Sequence, residues 1–428
     1  MTLSFFYAVL WFAVSIFSVF NTIHAFRPSR NALLFVPSFF ATWMLLELAG
    51  HHIAFLLIGA SVLVYIGEGL TPFGLLTLAL NLISIVLLSL HIRNAQKAKK
   101  ILHDALKGYI DDKDWPKVPA SQLFYPFRPQ RKGVQRTRNI EFARVAGKKL
   151  HLDVYQPSTT PGARRPAIVQ IHGGAWVLGD KREQGLPLLY HLAANGWVGF
   201  NVNYRLSPGA TFPDHLIDIK KAIAWIREHA DEYHIDPNFI AVTGGSAGGH
   251  LTALTALTAN DPALQPGFEE ADTSVQAAVP FYGIYDFTDK LRLLGYGFVS
   301  KFLEPVVMKA FLDDEPEKFH AASPLSLLHA DAPPMLIVHG DKDVLAPVEY
   351  ARLFAKELAA VSKQHVFYAE IVGAQHAFEI FASPRTNRTV ESVERFLAAA
   401  YAQHPADAIY NSPFAAQTPN DDAGLPVA

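Results

Sequence analysis

The chain of 428 residues contains no cysteine. Disulfides, cysteine-ligated zinc and thiol catalysis are therefore excluded, although many exported proteins also lack cysteine and the redox compartment stays open. An excess of one charge sign is missing too. The formal net charge is −2, so no global basic field points to nucleic acid. No internal repeat is visible. Positive charge is also absent from Met1–Ser4, where a signal peptide would carry it. What the chain has in quantity is apolar residues, 50% of the total, with positive mean hydropathy. Soluble globular chains rarely look like this unless part of them sits in lipid.

The apolar residues concentrate at the front. One stretch runs from Leu3 to about Phe20. A second, Ala32 to Tyr65, is interrupted only by Glu47, Gly50, His51 and His52. A third runs from Pro72 to Leu90. Crossing a hydrocarbon core of about 30 Å takes roughly 20 apolar residues in a helix. The outer stretches fit one span each; the middle one is too long for one upright span and short for two. Residues 1–92 are thus expected to form an all-α transmembrane region of three spans, or four, and the bilayer is an expected partner. Arg27 and Arg30 follow the first span, and Arg93, Lys97, Lys99 and Lys100 the last, whereas Gly67–Thr71 carries only Glu68. Basic flanks tend to stay in the cytoplasm. Three spans put both flanks there; four would separate them. The expectation is a multi-pass protein with its C-terminal domain at the cytoplasmic face. Three spans require the middle stretch to be one long or tilted helix, or a span plus a re-entrant piece. Glu47, His51 and His52 would be costly in lipid unless they face other helices.

Residues 93–136 read as an amphipathic helix and a linker. Ile101, Leu102, Ala105, Leu106 and Tyr109 recur at helical spacing. Such a helix either lies on the membrane, with Lys97, Lys99 and Lys100 near headgroups, or packs on the domain that follows. Pro116, Pro119, Pro126 and Pro129 mark the linker. From about Thr137 short β-rich runs alternate with helical ones. The expected strands are Ala167–Ile171, Val198–Tyr204, Phe239–Thr243, Ala277–Phe281, Met335–His339 and His365–Ile371. Several are continuous apolar runs, as in strands buried on both faces. The stripe Leu216, Ile219, Ile223 and Ile226 marks a helix between them. This alternation predicts a mostly parallel sheet covered by helices on both faces over 137–402. The segment from Asp286 to Pro324 is long for a connection, and its apolar residues suggest a small helical cap over about 286–324. Residues 403–428, rich in Ala, Pro, Asn and Asp, read as a disordered tail.

The chemistry-bearing signal is Gly244-Gly245-Ser246-Ala247-Gly248-Gly249, after an expected strand and before the helical run His250–Ala259. A serine nucleophile there must sit on a sharp turn, and flanking glycines remove the Cβ atoms that would clash. The helix N-terminus brings positive dipole to a developing oxyanion. His172-Gly173-Gly174-Ala175-Trp176 follows an earlier strand. The N–H groups of Gly173, Gly174 and Ala247 are the expected oxyanion donors. Serine needs a neighbouring imidazole to take its proton. Of 18 histidines, His376, in the loop Gly373–Ala377 past the last strand, is best placed; His365 begins a strand, His404 lies in the tail and His250 is one turn along the nucleophile helix. Asp343, after strand Met335–His339, is the expected acid, with Asp341 as runner-up.

Together these residues resemble the hormone-sensitive-lipase-like group of α/β-hydrolases. The resemblance covers about Asn139 to Ala400 and includes His172–Trp176, Asn203-Tyr204-Arg205-Leu206, Gly244–Gly249, Gly340–Pro347 and Gly373–Phe378. With its apolar front, the layout is similar to membrane-associated carboxylesterases of actinobacteria and to isoprenylcysteine methylesterases. The resemblance implies an α/β-hydrolase fold and hydrolysis of a small-molecule or lipid carboxylic ester without metal or cofactor. Two positions depart from the group: Gly245, where an acidic residue often precedes the nucleophile, and Ala175, in place of the third glycine of the oxyanion motif. An amidase or aryl-formamide hydrolase on the same triad, or an inactive membrane binding protein, are the alternatives.

Overall fold

A computed structural model describes residues 2–31, 34–110, 117–159, 162–295 and 297–404. The expected tail from residue 405 onward lies outside the described residues. The chain opens with α1 (Leu3–His24), α2 (Phe35–Glu47), α3 (Ala49–Tyr65), α4 (Pro72–Gln96) and α5 (Ala98–Ala105). Among the described residues, α1 and the stretch Pro72–Ala105 are each long and apolar enough to cross a membrane. The pair α2–α3 passes the same test only jointly, and it is bent by 83°. Helix α2 has 13 residues, so at 1.5 Å per residue it is about 20 Å long, too short to cross alone.

The burial pattern of this bundle is inverted relative to a soluble protein. Ser15, Ser18, Thr77, Asn81 and Ser84 are buried between helices, while Phe5, Phe6, Phe17, Phe20, Ile58 and Leu82 face outward. Small and polar side chains inside, with large apolar ones outside, suit helices whose solvent is lipid. Side-chain pairs give the helix directions. Phe12 meets Phe73, Ser15 donates to Asn81 at 2.7 Å, and His91 reaches Thr22 O at 3.3 Å, so α1 and α4 run parallel. Tyr7 donates to Gly59 O at 3.3 Å and Ser18 meets His52 at 2.8 Å, so α3 runs opposite to both. The chain therefore passes through the bundle three times, with α2 as a crosspiece between the first and second passes.

After a short 3₁₀ turn, Ala120–Phe124, comes a hairpin that no apolar run in the sequence announces, β1 (Val134–Val145) and β2 (Lys148–Pro157). Ala146 and Gly147 turn it with φ of 48° and 78°, the left-handed pair that a two-residue hairpin requires. Then follow β3 (Arg165–Ile171), α6 (Leu186–Ala194), β4 (Val198–Val202), α7 (Asp214–Glu228), β5 (Ile235–Gly245), α8 (Ala247–Leu257), β6 (Ala277–Phe281), α9 (Pro316–Ala321), β7 (Met335–Gly340), α10 (Val348–Val361), β8 (Val366–Ile371) and α11 (Pro384–Gln403). The eight strands form one sheet in the order β1-β2-β4-β3-β5-β6-β7-β8. The β1–β2 and β2–β4 pairs are antiparallel and the rest parallel. Parallel strands joined by helices bury both faces, and β4 and β6 are buried throughout.

One core packs α7, α8 and α10 on one face of the sheet; Leu216, Ile219, Ile223 and Ile226 of α7 are all fully buried there. The opposite core receives α6, α11 and the amphipathic segment. Leu102, Leu106 and Tyr109 are buried in it, with Tyr109 set 4.9 Å from Phe367. Of the two placements open for that segment, packing on the following domain is the observed one, while Lys97, Lys99 and Lys100 stay exposed. The cap region holds a wide-turn helix, Val299–Met308. Its Leu303 and Val307 join the core that contains Trp176, and Phe212 N donates to Val307 O at 3.0 Å.

Candidate active site

The first elements of the site are the C-terminal ends of β3, β5, β7 and β8, which open on one edge of the sheet, where parallel α/β sheets hold their ligands. β5 runs straight into Ser246, whose φ of 60° and ψ of −122° make it a strained corner. The corner is stitched to β6 by Ser246 N donating to Phe281 O at 3.0 Å. In an otherwise buried run from Ala241 to His250, Ser246 alone is partly exposed. The neighbouring glycines are there for space. A Cβ on Gly248 would lie 2.2 Å from Ile171 O, and one on Gly244 2.5 Å from the same atom. Gly245, one of the two departures from the group's pattern, is explained by Tyr282: a Cβ there would come 2.5 Å from the tyrosine hydroxyl.

The loop after β3 lies against this corner. A Cβ on Gly173 would sit 3.0 Å from Ser246 Cβ. Gly173 N–H, however, already donates to Gln184 Oε1 at 2.6 Å. Gly174, Ala175 and Ala247 have no acceptor for their N–H groups among the described residues. The expectation of Gly173 as a donor thus meets an occupied N–H, and Ala175 N–H, which the motif pattern does not single out, is open. Ala175 holds a left-handed φ of 50°. Spacing alone could not reveal this, because the competing side chain, Gln184, lies eleven residues downstream.

Behind this loop is a polar scaffold. Tyr204 Oη donates to His172 O at 3.0 Å, and its ring stacks on the His172 imidazole at 4.4 Å. Asn203 accepts from Lys181 N at 2.7 Å, and Arg205 Nε donates to Asp218 at 2.8 Å. Within this run Tyr204 supports the loop after β3, while Asn203 and Arg205 tie to Lys181 and Asp218. Burial holds the His172 imidazole neutral, with its pKa down at about 4. Trp176 is buried, and its Nε1 donates to His250 Nδ1 at 3.2 Å; it packs against the first turn of α8.

The loops after β7 and β8 meet at a hydrogen bond of 2.7 Å between His376 Nδ1 and Asp343 Oδ2. Asp343 is fully buried. Burial alone would raise its pKa, but His376 and His339 facing it hold the carboxyl well below the usual carboxylate range. Its Oδ1 accepts from Leu345 N and Ala346 N, both at 2.8 Å. A carboxylate so surrounded stays ionised and fixes which imidazole nitrogen faces it. Asp341 plays a different part, since its Oδ1 accepts Gly373 N–H at 2.6 Å and anchors the start of the histidine loop. Tyr282, next to the Phe281 carbonyl that holds Ser246, lies with its ring 4.5 Å from the His376 imidazole. Ser246 and His376 thus flank the same corner of β6.

The roof of the site comes from the apolar region. Phe39 of α2 meets His376 in a T-shaped contact, with centroids 6.2 Å apart. Trp43 Nε1 donates to Ala377 O at 2.8 Å, and Gln375 Nε2 donates to Thr42 Oγ1 at 3.2 Å. From the turn before α2, Arg30 donates to Asp343 O at 3.3 Å and to Glu349 at 3.2 Å. None of these contacts is legible in the sequence, since they join residues over 300 positions apart.

Similarity to known proteins follows the same lines. The BD-FAE family matches residues 152–358. The "Probable carboxylic ester hydrolase LipM" of Mycobacterium tuberculosis is 50% identical over 260 residues, 60% of this chain and 60% of LipM. The "Esterase LipQ" of the same organism is 41% identical over 322 residues, 72% of this chain and 76% of LipQ. Among solved structures, the propionate-bound esterase Est2 of Thermogutta terrifontis aligns with a TM-score of 0.51 at 28% identity, covering 63% of this chain and 93% of Est2. The chain belongs to the BD-FAE family of hormone-sensitive-lipase-like α/β-hydrolases, among the relatives of which are carboxylic ester hydrolases and esterases.

Proposed function

We propose that the protein is a membrane-anchored serine carboxylic ester hydrolase that works through Ser246, His376 and Asp343. The observation that carries the reading is the 2.7 Å bond from His376 to the buried Asp343, beside a serine held on a strained corner. In this mechanism Ser246 Oγ attacks the ester carbonyl carbon while His376 Nε2 takes the hydroxyl proton. Asp343 stabilises the resulting imidazolium without accepting its proton. The oxyanion is met by the N–H groups of Gly174, Ala175 and Ala247, which have no acceptor among the described residues. Gly173 is left out because Gln184 occupies its N–H. Collapse of the tetrahedral intermediate breaks the bond to the alcohol oxygen, which leaves with the proton from His376. Water, deprotonated by the same imidazole, then frees the acid and restores Ser246.

The substrates in this reading are esters of short to medium acyl chains, or lipid-like esters that partition into the bilayer. Propionate bound to Est2 and the aromatic roof supplied by α2 support that class. The anchor is read as three spans with the catalytic domain at the cytoplasmic face. The parallel course of α1 and α4 supports it, since it brings both basic flanks to the catalytic end of the bundle. The test is a hydrolysis panel across ester chain lengths, formamides and peptides, with Ser246→Ala as control. Ester hydrolysis lost in the control supports the reading. Preference for formamides or peptides over every ester overturns it.

A further inference from the structure

Glu47 lies in the middle of the second apolar stretch, and nothing in the triad chemistry uses it. Its carboxylate is fully buried against the fully buried guanidinium of Arg385. Glu47 Oε2 also accepts from Ser383 Oγ at 2.6 Å. Ser383 caps α11, its hydroxyl taking Thr386 N–H, so the carboxylate sits at the N-terminus of a 20-residue helix, where negative charge is favoured. Arg385 makes a second contact. Its Nη2 donates to Gly373 O at 3.0 Å, the carbonyl of the residue whose N–H is held by Asp341. Gly373, with a φ of 71°, is therefore clamped on both sides, three residues before His376.

We infer that Glu47 and Arg385 are positioning residues for His376, locking the catalytic-histidine loop to the bend between α2 and α3. The inference rests on the assignment of His376 as the base. The logic is one of constraint. A guanidinium has a rigid fork of donors, so an arginine fixed by Glu47 at one nitrogen presents the other at a set angle to Gly373 O. Free of Glu47, the buried cation would turn toward other acceptors and release Gly373 O. The loop would then be held from one side only. Helix α2 carries the second part of the lock, because Glu47 ends the same helix that places Phe39 and Trp43 on His376 and Ala377. A base displaced by about 1 Å loses on the order of a hundredfold in rate.

The test uses the full-length protein in detergent or vesicles, with a p-nitrophenyl ester and a fluorophosphonate label. Arg385→Lys keeps the charge opposite Glu47 but cannot span Glu47 and Gly373 O together. It is expected to fold with unchanged KM and a kcat lowered roughly 10- to 100-fold, and its labelling by fluorophosphonate should slow in parallel. The double variant Glu47→Leu/Arg385→Met removes both charges, a change that leaves many buried pairs no less stable. It too should fold and lose kcat more than KM. A Glu47→Gln variant with the same split would add support. If Arg385→Lys or the folded double variant kept wild-type kcat and labelling rate, the pair would be a structural ion pair and the inference would fall. If instead wild-type turnover were indifferent to Ser246→Ala, the triad reading itself would have failed, a result these variants cannot imitate.

Discussion

Phe39, in a stretch that the sequence assigns to lipid, meets His376 in a T-shaped contact, with ring centroids 6.2 Å apart. His376 and its neighbours are therefore covered on one side by the apolar region. Phe39 is buried, so truncating it leaves a void beside the imidazole. Phe39→Ala is expected to lower kcat/KM for a hexanoyl ester by about tenfold, as loss of apolar contact in a pocket does, and to lower it less for an acetyl ester. Equal losses on both esters would argue that Phe39 supports His376 without touching substrate. Steady-state kinetics on a chain-length series would read this.

The two aspartates after β7 should separate cleanly. Asp343→Asn breaks the charge that orients and stabilises the imidazolium, and a loss of about 10⁴ in kcat is expected. In Asp341→Asn the side-chain oxygen can still accept from Gly373 N–H. A single weakened hydrogen bond of roughly 1 kcal/mol corresponds to less than about tenfold. The reverse order of effects in purified, folded variants would move the acid to Asp341.

How much of this is legible in the sequence follows from the range of the interactions. The strands β4, β6 and β7 are visible because each is a short buried run, mostly apolar, between turn residues, and the half-buried β8 is still rich in β-formers. The β1–β2 hairpin is not: β1 is largely exposed along its length and alternates charged and polar residues, so no apolar run marks it. Ser246 is legible because strand, glycine corner and helix are contiguous. Asp343 is legible only as one of two, since choosing it over Asp341 depends on a contact 33 residues away. The loop that holds Gly173 and Gly174 is legible, but the bond that occupies Gly173 N–H is not, because its acceptor, Gln184, lies in a separate stretch. The roof is invisible, because nothing in the local sequence of α2 says that its Thr42, Trp43 and Glu47 meet residues 375–385.

The two departures from the family pattern should respond in opposite ways. Gly245→Asp brings back the acidic residue common in the group, but its Cβ would collide with the buried Tyr282. A cost of about 1–3 kcal/mol is expected, as for overpacked cores. Ala175→Gly relieves a left-handed alanine, which carries about 1–2 kcal/mol of strain, while glycine gives back part of that in the unfolded chain. Its thermal midpoint should stay level or rise, with activity retained. A Gly245→Asp protein as stable as wild type would show that Tyr282 yields easily.

Glu379 supplies a pH signature. It is buried close to His376, and its Oε2 has no hydrogen-bond partner among the described residues. Burial pushes its pKa up to about 6. Its folded state thus binds the proton more tightly than its unfolded state, whose pKa is near 4.3. The contribution to stability is full below about pH 4 and is lost as pH rises through about 6. The displacement amounts to about 2 kcal/mol. Glu379→Gln does not titrate, so relative to wild type it should gain about that much stability between pH 4 and pH 8. Thermal or denaturant unfolding of both proteins at the two pH values would check it. No change in the difference would mean that the carboxyl is solvated in the folded protein.

The final prediction concerns sidedness, and the absence of cysteine makes it directly measurable. The contacts of Ser15 with Asn81 and of Thr22 with His91 make α1 and α4 parallel, so Arg27 and Arg30 come to the same end of the bundle as Arg93, Lys97 and Lys99. Arg30 touches the catalytic domain at Asp343 and Glu349. The turn from Gly67 to Thr71 lies at the other end and carries Glu68 alone. Had the middle stretch crossed twice, α4 would run against α1 and the basic flanks would lie on opposite sides. With three crossings every nearby Lys and Arg gathers on one side, and such flanks favour the cytoplasm. Single-cysteine variants at Glu68 and Lys99 should therefore differ. A membrane-impermeant maleimide added to intact cells is expected to label Glu68→Cys, and Lys99→Cys only after permeabilisation. A C-terminal tag should likewise resist protease added outside. Labelling of Lys99→Cys but not of Glu68→Cys in intact cells, or loss of the tag, would place the catalytic domain outside. The lock between α2 and the histidine loop would then face the outer leaflet.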